Sequence, residues 1–343
     1  MYISSINSFN TISLTPNIGL QQPVQPAFMG GCEIPDSYMR QILERSAVVS
    51  LAKYGVVCPC CGNKMIDPRK LNNYLTKGTF QQSTPIVIKI LDKYTPCMKK
   101  NEKMVFSTIK ELHKKYPNHT LPDLLNEIKK NSEFVLIEKQ SKIFGKLYDY
   151  TKKHLSDEKL EELNGLIQKS YEEMYNPSSH SVFGRKKFIG LITRFAGDIS
   201  EKDRDKLVEI AEQLPSSKDD IAAFVVKYSR SSNEEIAERL LRPSTATIEH
   251  VKPRANNGED SIYNYAAECA ADNWEKGDTP VYEQVKKHPS MARNVQIHIN
   301  QIIKLIKSKK VPKLITPEYV EKISDTFEKE SGNSIKIDRS SLY

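Results

Sequence analysis

Apolar residues recur at helical spacing through most of this chain. A first stripe lies within residues 36–54 and ends just before a cluster of cysteines. Further stripes run through residues 84–241, where Leu160, Leu163 and Ile167 are one example. Helix start signals precede several stripes, either a Ser with an acid three residues later or a Thr close to a Pro: Ser200, Ser217, Ser232, Thr84 and Thr120. This pattern predicts an almost wholly helical region between residues 84 and 241.

The pattern changes at Pro243. A short β-prone stretch leads to His250, and a turn region that contains Pro and Gly follows at residues 253–258. This order predicts a β-hairpin. After Ser261 the sequence becomes compatible with a helix, which Gly277 would end. Two further helices are predicted in the C-terminal region, at residues 290–308 and 316–329.

Composition and charge narrow the classes of partner. The chain has 51 Lys and Arg against 43 Asp and Glu, and its formal net charge of +8 favours phosphate-rich partners. No apolar run approaches the roughly 20 residues that span a bilayer, so we expect no membrane partner.

Residues 1–35 are predicted to form a disordered polar tail, because positions 1–31 carry no charged side chain. We expect a cytoplasmic protein, with a secreted effector as the alternative, since uncharged polar tails also precede some secreted effectors.

Three of the six cysteines lie within four positions, at Cys58, Cys60 and Cys61. Such clustering is typical of metal ligands rather than of a disulfide framework, and it suits a reducing compartment. The other cysteines stand far apart in the sequence, at Cys32, Cys97 and Cys269.

The segment from Thr247 to Gly277 contains an ordered series of chemically distinctive residues. An acid and a His are followed by a Pro, a turn with Gly, an Asn before an apolar stretch, and then Cys, Asn, Lys and Gly. These positions are filled by Glu249, His250, Pro253, Gly258, Asn264, Cys269, Asn273, Lys276 and Gly277. The series resembles the HNH endonuclease family. One position differs, because the family usually has Asp before the His and this chain has Glu249.

The resemblance implies an endonuclease that hydrolyses phosphodiester bonds in nucleic acid, with DNA as the expected substrate. His250 would be the general base that deprotonates water. Glu249 and Asn273 would hold one catalytic Mg²⁺ or Mn²⁺ through hard oxygen ligands. Asn264 would hold the hairpin loop and so orient His250. Basic residues around the site would contact phosphates: Lys252, Arg254 and Lys276.

The sequence C-P-C-C-G at residues 58–62 resembles the C-x-x-C-G knuckle that many family members place ahead of the hairpin. The resemblance implies that Cys58 and Cys61 share a structural Zn²⁺ with Cys269 and with Asp272, which stands where the family has a second helix cysteine. Two alternatives remain at this stage. A thiolate from Cys60 or Cys97 could replace Asp272, or the cysteines could be reduced side chains without a metal.

These observations together predict an α+β protein, mostly α, in which a small ββα-metal module carries a large helical insertion and a helical C-terminal extension. The knuckle and the hairpin would have to meet around that insertion. The rival hypothesis is a non-catalytic, zinc-stabilised helical module that binds nucleic acid or protein. The expected divisions of the chain are the tail at 1–35, a helix with the knuckle at 36–75, the insertion at 76–241, the HNH motif at 242–285 and the extension at 286–343.

Overall fold

The computed structural model describes residues 36–175, 185–197, 199–337 and 342. The predicted tail at residues 1–35 lies outside the described residues. Those that are described form a mostly helical fold with one two-stranded antiparallel sheet, which confirms the expected α+β class with mostly α structure. None of their helices combines the length and the apolar character needed to cross a membrane.

In chain order the helices and strands are α1 (Asp36–Val49), α2 (Pro68–Thr76), α3 (Thr84–Asp92), α4 (Lys100–Lys115), α5 (Leu121–His154), α6 (Asp157–Tyr175), α7 (Arg185–Phe195), α8 (Glu201–Ala211), α9 (Ile221–Tyr228), α10 (Asn233–Leu241), β1 (Ala246–His250), β2 (Tyr265–Cys269), α11 (Ala270–Lys276), α12 (Val281–Lys287), α13 (Met291–Lys307) and α14 (Pro317–Ser331).

Side-chain caps begin several helices where the sequence predicts them. Capping boxes at Thr120 and Ser232 begin α5 and α10, and Ser200 caps α8. The start predicted at Ser217 is wrong, because that residue lies in a turn and the side chain of Asp220 caps α9 instead. An acid three residues beyond a Ser is therefore a useful but incomplete signal.

The two strands form the predicted hairpin. They pair antiparallel, with His250 opposite Tyr265 at the end nearest the connecting loop. The helix predicted directly after Ser261 is wrong for the residues of β2, because α11 begins only at Ala270. Alanines in β2 favour a helix, but pairing with β1 and burial of all five β2 residues outweigh that local propensity.

The hairpin shares its hydrophobic core with helices from both ends of the chain. Buried side chains of this core come from α1, the cysteine loop (residues 57–64), both strands, α13 and α14, and they include Val48, Ile299 and Tyr319. The segment at residues 286–343, expected as an extension, therefore packs as part of the same core as the hairpin.

Helices between the cysteine loop and the hairpin form their own cores. One core joins α2, α3, α4, α9 and α10 to the start of α5, and another joins the later part of α5 to α6, α7 and α8. The chain leaves and rejoins the hairpin core at one place. The N–H of Ile66 donates to the carbonyl of Ser244 over 2.9 Å, and the N–H of Ala246 donates to the carbonyl of Ile66 over 2.9 Å. The two ends of the helical insertion thus lie side by side.

Candidate functional site

The cysteine loop is a tight turn held by its own backbone. The N–H of Cys58 donates to the carbonyl of Asn63 over 2.8 Å, and the N–H of Gly62 donates to the carbonyl of Cys58 over 2.9 Å. Gly62 has a φ of +72°, and a Cβ at this position would lie 2.7 Å from the side-chain oxygen of Asn294. Both the left-handed backbone and the close approach of α13 therefore require glycine here.

Three polar side chains on one face of α13 fix the cysteine loop. Asn294 donates from Nδ2 to the carbonyl of Cys60 over 2.7 Å, and Nδ1 of His298 donates to the carbonyl of Val57 over 2.6 Å. The side chain of Gln301 accepts from the N–H of Val57 over 2.8 Å. The C-terminal region thus positions the loop, a role that the sequence analysis missed because polar residues at helical spacing also occur on ordinary exposed faces.

A metal-ligand cluster joins the cysteine loop to the start of α11. Ligand atoms of Cys58, Cys61, Cys269 and Asp272 all lie within 4.8 Å of one another. Within this cluster the Sγ atoms of Cys61 and Cys269 are 4.0 Å apart, and Sγ of Cys58 is 3.0 Å from Oδ2 of Asp272. Three thiols and a carboxyl group at this separation can hold a metal ion. Cys97, one of the alternative fourth ligands, belongs to neither of the ligand groups found among the described residues.

Lys99, which directly precedes α4, brings a positive charge from the insertion to this cluster. Its Nζ lies 2.7 Å from both carboxylate oxygens of Asp272 and 2.9 Å from Sγ of Cys61. Hydrogen bonds with Cys269 and Cys58, together with the charge of Lys99, lower the pKa of the Cys61 thiol far below its usual range. Burial raises the pKa of Asp272 to about 6. The Lys99 ammonium beside Cys61 thus favours the thiolate, the form of cysteine that binds metals.

His250 ends β1 and faces a second polar cluster. Its Nε2 lies 2.7 Å from Oδ1 of Asp260, and its ring meets the Tyr265 ring edge-on with centroids 5.0 Å apart. The side chain of His250 is 19% exposed, so it is partly accessible from solution.

Several donors besides His250 lie within hydrogen-bond distance of the same oxygen of Asp260, Oδ1. Arg254 approaches Oδ1 with Nη2 at 2.6 Å and Nε at 2.9 Å, while Nη2 of Arg45 lies at 3.4 Å and the Tyr265 hydroxyl at 3.3 Å. Asp260, Arg45 and Tyr265 were not predicted at this site from the sequence. Arg45 lies on α1, 215 residues from Asp260 in the chain, so no local spacing signals their contact.

The carboxylate fixes where the proton of neutral His250 resides. Although burial opposes it, hydrogen bonds from His250 and Arg254 lower the pKa of Asp260 to about 2. The ionised carboxylate can only accept, so the 2.7 Å contact places the hydrogen on Nε2 of His250 and leaves the lone pair on Nδ1. Nε of Arg254 lies 3.3 Å from the same Nε2 and in this tautomer donates to Asp260, at 2.9 Å, instead. Burial lowers the pKa of His250 below its usual value, which favours this neutral form.

The residues expected to hold a catalytic cation are engaged in bonds within the hairpin and helix. The buried carboxylate of Glu249 pairs with the ammonium of Lys276, whose side chain is 3% exposed and also donates to the carbonyl of His250 over 2.8 Å. The amide nitrogen of Asn273 donates to the carbonyl of Ile248 over 2.7 Å. This arrangement does not fit a divalent cation, because the Lys276 ammonium is buried against the Glu249 carboxylate and is held there by the backbone carbonyls of His250 and Val251. Lys276 is also too buried for the phosphate contact that was predicted for it.

Asn264 ties together the two ends of the loop that follows His250. Its Oδ1 accepts from the N–H of Lys252 over 2.8 Å, and its Nδ2 donates to the carbonyls of Lys252 and Glu259, each over 3.0 Å. A Cβ at Gly258 would lie 1.8 Å from the Lys252 carbonyl, so this loop closes only around glycine. Of the two remaining residues predicted to contact phosphate, Arg254 is exposed and Lys252 is partly exposed.

Comparison of the chain with protein-family models, with curated proteins and with solved structures gave no match in any of the three. The function must therefore be inferred from the chemistry of the metal-ligand cluster and of the cluster around His250.

Proposed function

We propose that this protein is an HNH-type endonuclease that hydrolyses phosphodiester bonds in nucleic acid, with DNA as its substrate and the cytoplasm as its location. One observation carries the proposal. A partly exposed histidine, with its proton held on Nε2 by Asp260, stands beside Arg254 and Arg45 at the end of β1 in a strand-strand-helix unit. The ordered motif at residues 247–277 supports the same reading.

Hydrolysis at this site would use His250 as the general base. Nδ1 of His250 takes a proton from water while the water oxygen forms a bond to phosphorus. The bond between phosphorus and the leaving oxygen breaks, and that oxygen takes a proton from solvent. Asp260 keeps its hydrogen bond to Nε2 throughout, and it stabilises the imidazolium that forms on proton transfer.

Two guanidinium groups would bind the phosphate. Arg45 and Arg254 both approach the single carboxylate of Asp260, so one of their two positive charges is not neutralised by it. A phosphodiester carries one negative charge and would supply the missing anion. Because side chains of Arg254 and Arg45 are 56% and 30% exposed, they can reach a ligand in solution.

We assign no step to Mg²⁺ or Mn²⁺, although the family resemblance implies one of them. The ion pair between Glu249 and Lys276 would have to open before the carboxylate could bind a cation. For the cysteine cluster we propose Zn²⁺, since it accepts thiolates and a carboxylate together. Zinc there would hold residues 58–61 against residues 269–272, which lie beside the helix of the proposed nuclease unit.

The ion pair between Glu249 and Lys276 also favours a second candidate function, a zinc-stabilised module that binds nucleic acid without cutting it. In that case Arg45, Arg254 and Lys252 would contact phosphates, and His250 would serve only the structure of the loop. The two functions differ in one measurable property, hydrolysis that depends on His250.

The test incubates zinc-loaded protein with supercoiled plasmid, with and without added Mg²⁺ or Mn²⁺. His250→Ala is compared with His288→Ala, a control that removes a partly exposed histidine outside the His250 cluster and the metal-ligand cluster. We expect nicked or linear plasmid with the wild type and the control, and intact plasmid with His250→Ala. Intact plasmid, single-stranded DNA and RNA with every protein would refute the nuclease. Retained binding in fluorescence polarisation would then favour the binding module.

A further inference from the structure

A second group of potential ligands adjoins the metal-ligand cluster. Ligand atoms of Cys60, Glu268 and Asp272 lie within 4.8 Å of one another. Cys60 and Glu268 are 5% and 2% exposed, so both are shielded from water. Asp272 belongs to this group as well as to the cluster with Cys58, Cys61 and Cys269, so the two groups share a carboxylate.

Glu268 is the observation that points to a ligand. Its Oε2 is buried and has no hydrogen-bond partner among the residues that the structure describes. A carboxyl oxygen removed from water without a partner costs free energy, so a bound cation at this position would stabilise it. The backbone of Glu268 is satisfied in the sheet, where its carbonyl accepts from the Thr247 hydroxyl over 3.2 Å. The unpartnered atom is Oε2, on a side chain whose ligand atom lies within 4.8 Å of those of Cys60 and Asp272.

We infer that Cys60, Glu268 and Asp272 hold a second metal ion beside the one in the metal-ligand cluster, with the Asp272 carboxylate shared between the two ions. A carboxylate has two oxygens and can bind one cation through each. One thiolate and two carboxylates suit a cation that accepts sulfur as well as oxygen, which favours Zn²⁺ over Mg²⁺ or Ca²⁺. The ammonium of Lys99 now lies beside both Asp272 oxygens, but its side chain is 16% exposed and, among the described residues, it bonds only to Asp272 and Cys61. Unlike Lys276, which backbone carbonyls also hold, it can therefore turn toward solvent when the carboxylate binds two ions.

Charge balance allows the second ion. In the metal-ligand cluster, the positive charges of the first ion and of Lys99 offset most of the negative charge of four ligands: the thiolates of Cys58, Cys61 and Cys269 and the carboxylate of Asp272. Ionised Cys60 and Glu268 add two negative charges, which one more dication cancels. Binding of the second ion to ionised Cys60 and Glu268 therefore leaves the net charge of the buried cluster unchanged. An unbalanced charge would be costly here, because little water is present to screen it.

The experiment counts zinc ions in the full-length protein, so it needs no substrate and does not depend on the nuclease proposal. Protein saturated with Zn²⁺ is freed of excess metal by gel filtration and analysed by inductively coupled plasma mass spectrometry. The variants are Cys60→Ser and Glu268→Gln, and Cys97→Ser is the matched control because it removes a cysteine outside both groups. Glu268→Gln changes almost no volume, and circular dichroism verifies that each variant is folded.

We expect two zinc ions per chain in the wild type and in Cys97→Ser, and one in Cys60→Ser and in Glu268→Gln. Substitution by Co²⁺ gives a second readout, because the loss of the Cys60 thiolate should weaken the sulfur-to-cobalt charge-transfer absorption. One ion in the wild type would overturn the inference. Two ions in both variants would overturn it as well, since Cys60 and Glu268 would then not be ligands.

Discussion

His298 is completely buried on α13, where its Nδ1 donates to the carbonyl of Val57 next to the metal-ligand cluster. Its Nε2 has no partner among the described residues. Burial lowers the pKa of His298 from 6.5 to about 4. The folded protein therefore holds this imidazole neutral at pH values where the unfolded chain would already protonate it.

The difference makes stability depend on pH in a defined window. Between pH 6.5 and pH 4 the unfolded chain binds one more proton at His298 than the folded chain does. The free energy of unfolding therefore falls on acidification, by about 1.4 kcal/mol for each pH unit. From neutral pH down to pH 5 the loss from this one group is about 2 kcal/mol, and the full loss near pH 4 is about 3 kcal/mol.

The substitution that isolates this effect is His298→Asn, since Asn keeps a donor near the position of Nδ1 but does not titrate. Urea unfolding of the zinc-loaded wild type and variant is measured at pH 7.5 and pH 5.0. The smaller side chain leaves a cavity and makes the variant less stable at pH 7.5. We expect that deficit to shrink by about 2 kcal/mol at pH 5.0, because only the wild type suffers from protonation of residue 298.

Comparison of the two proteins at each pH cancels acid effects that they share, including the release of metal from protonated cysteines. His288→Asn is the control, because the side chain of His288 is 35% exposed. A deficit of the same size at both pH values would refute the reasoning, since it would mean that His298 does not resist protonation in the folded protein.

Three further results are expected. Lys276→Met or Glu249→Gln alone should lower the free energy of unfolding by roughly 3 to 5 kcal/mol, because each breaks the buried ion pair. The double variant should lose less than the sum of the two single losses. Single-variant losses below about 1 kcal/mol in urea unfolding would contradict this pairing. Asp260→Asn should reduce kcat for plasmid cleavage roughly 10- to 100-fold, because the His250 ring loses its ionised acceptor. KM should not rise, because Arg45 and Arg254 still supply positive charge for the phosphate. An unchanged kcat would exclude a positioning role for Asp260. Removal of metal with a strong chelator should lower the melting temperature of the wild type more than that of Cys61→Ser, which has already lost a ligand; equal shifts in both proteins would argue against a metal at this cluster.

The sequence predicts those features that depend on neighbouring residues. Capping boxes at Thr120 and Ser232 mark helix starts because both partners lie within one turn of the same helix. The loop after His250 is equally local, since Asn264 and Gly258 close it within a few residues. The sequence therefore predicted the hairpin and the closure of its loop by Asn264, but not the contact of Asp260 with His250.

Features set by distant contacts could not be predicted in this way. Strand β2 is a strand because β1 lies beside it, although its own residues favour a helix. Lys276 resembles a surface lysine until its pairing with Glu249 buries it. Arg45 belongs to the His250 cluster only because α1 packs against the hairpin. In each case tertiary packing determines the role, and packing has no short-range signature in the sequence.

The adjacent ends of the helical insertion, joined through Ile66 and Ser244, make that insertion an exchangeable unit. A segment that departs and returns at neighbouring backbone positions can lengthen, shorten or be replaced during evolution while the hairpin keeps its geometry. Protein engineers could graft another domain at the same junction. Lys99 is the one residue of the insertion shown above to reach the metal-ligand cluster, so a replacement domain would need to supply a cation at that position.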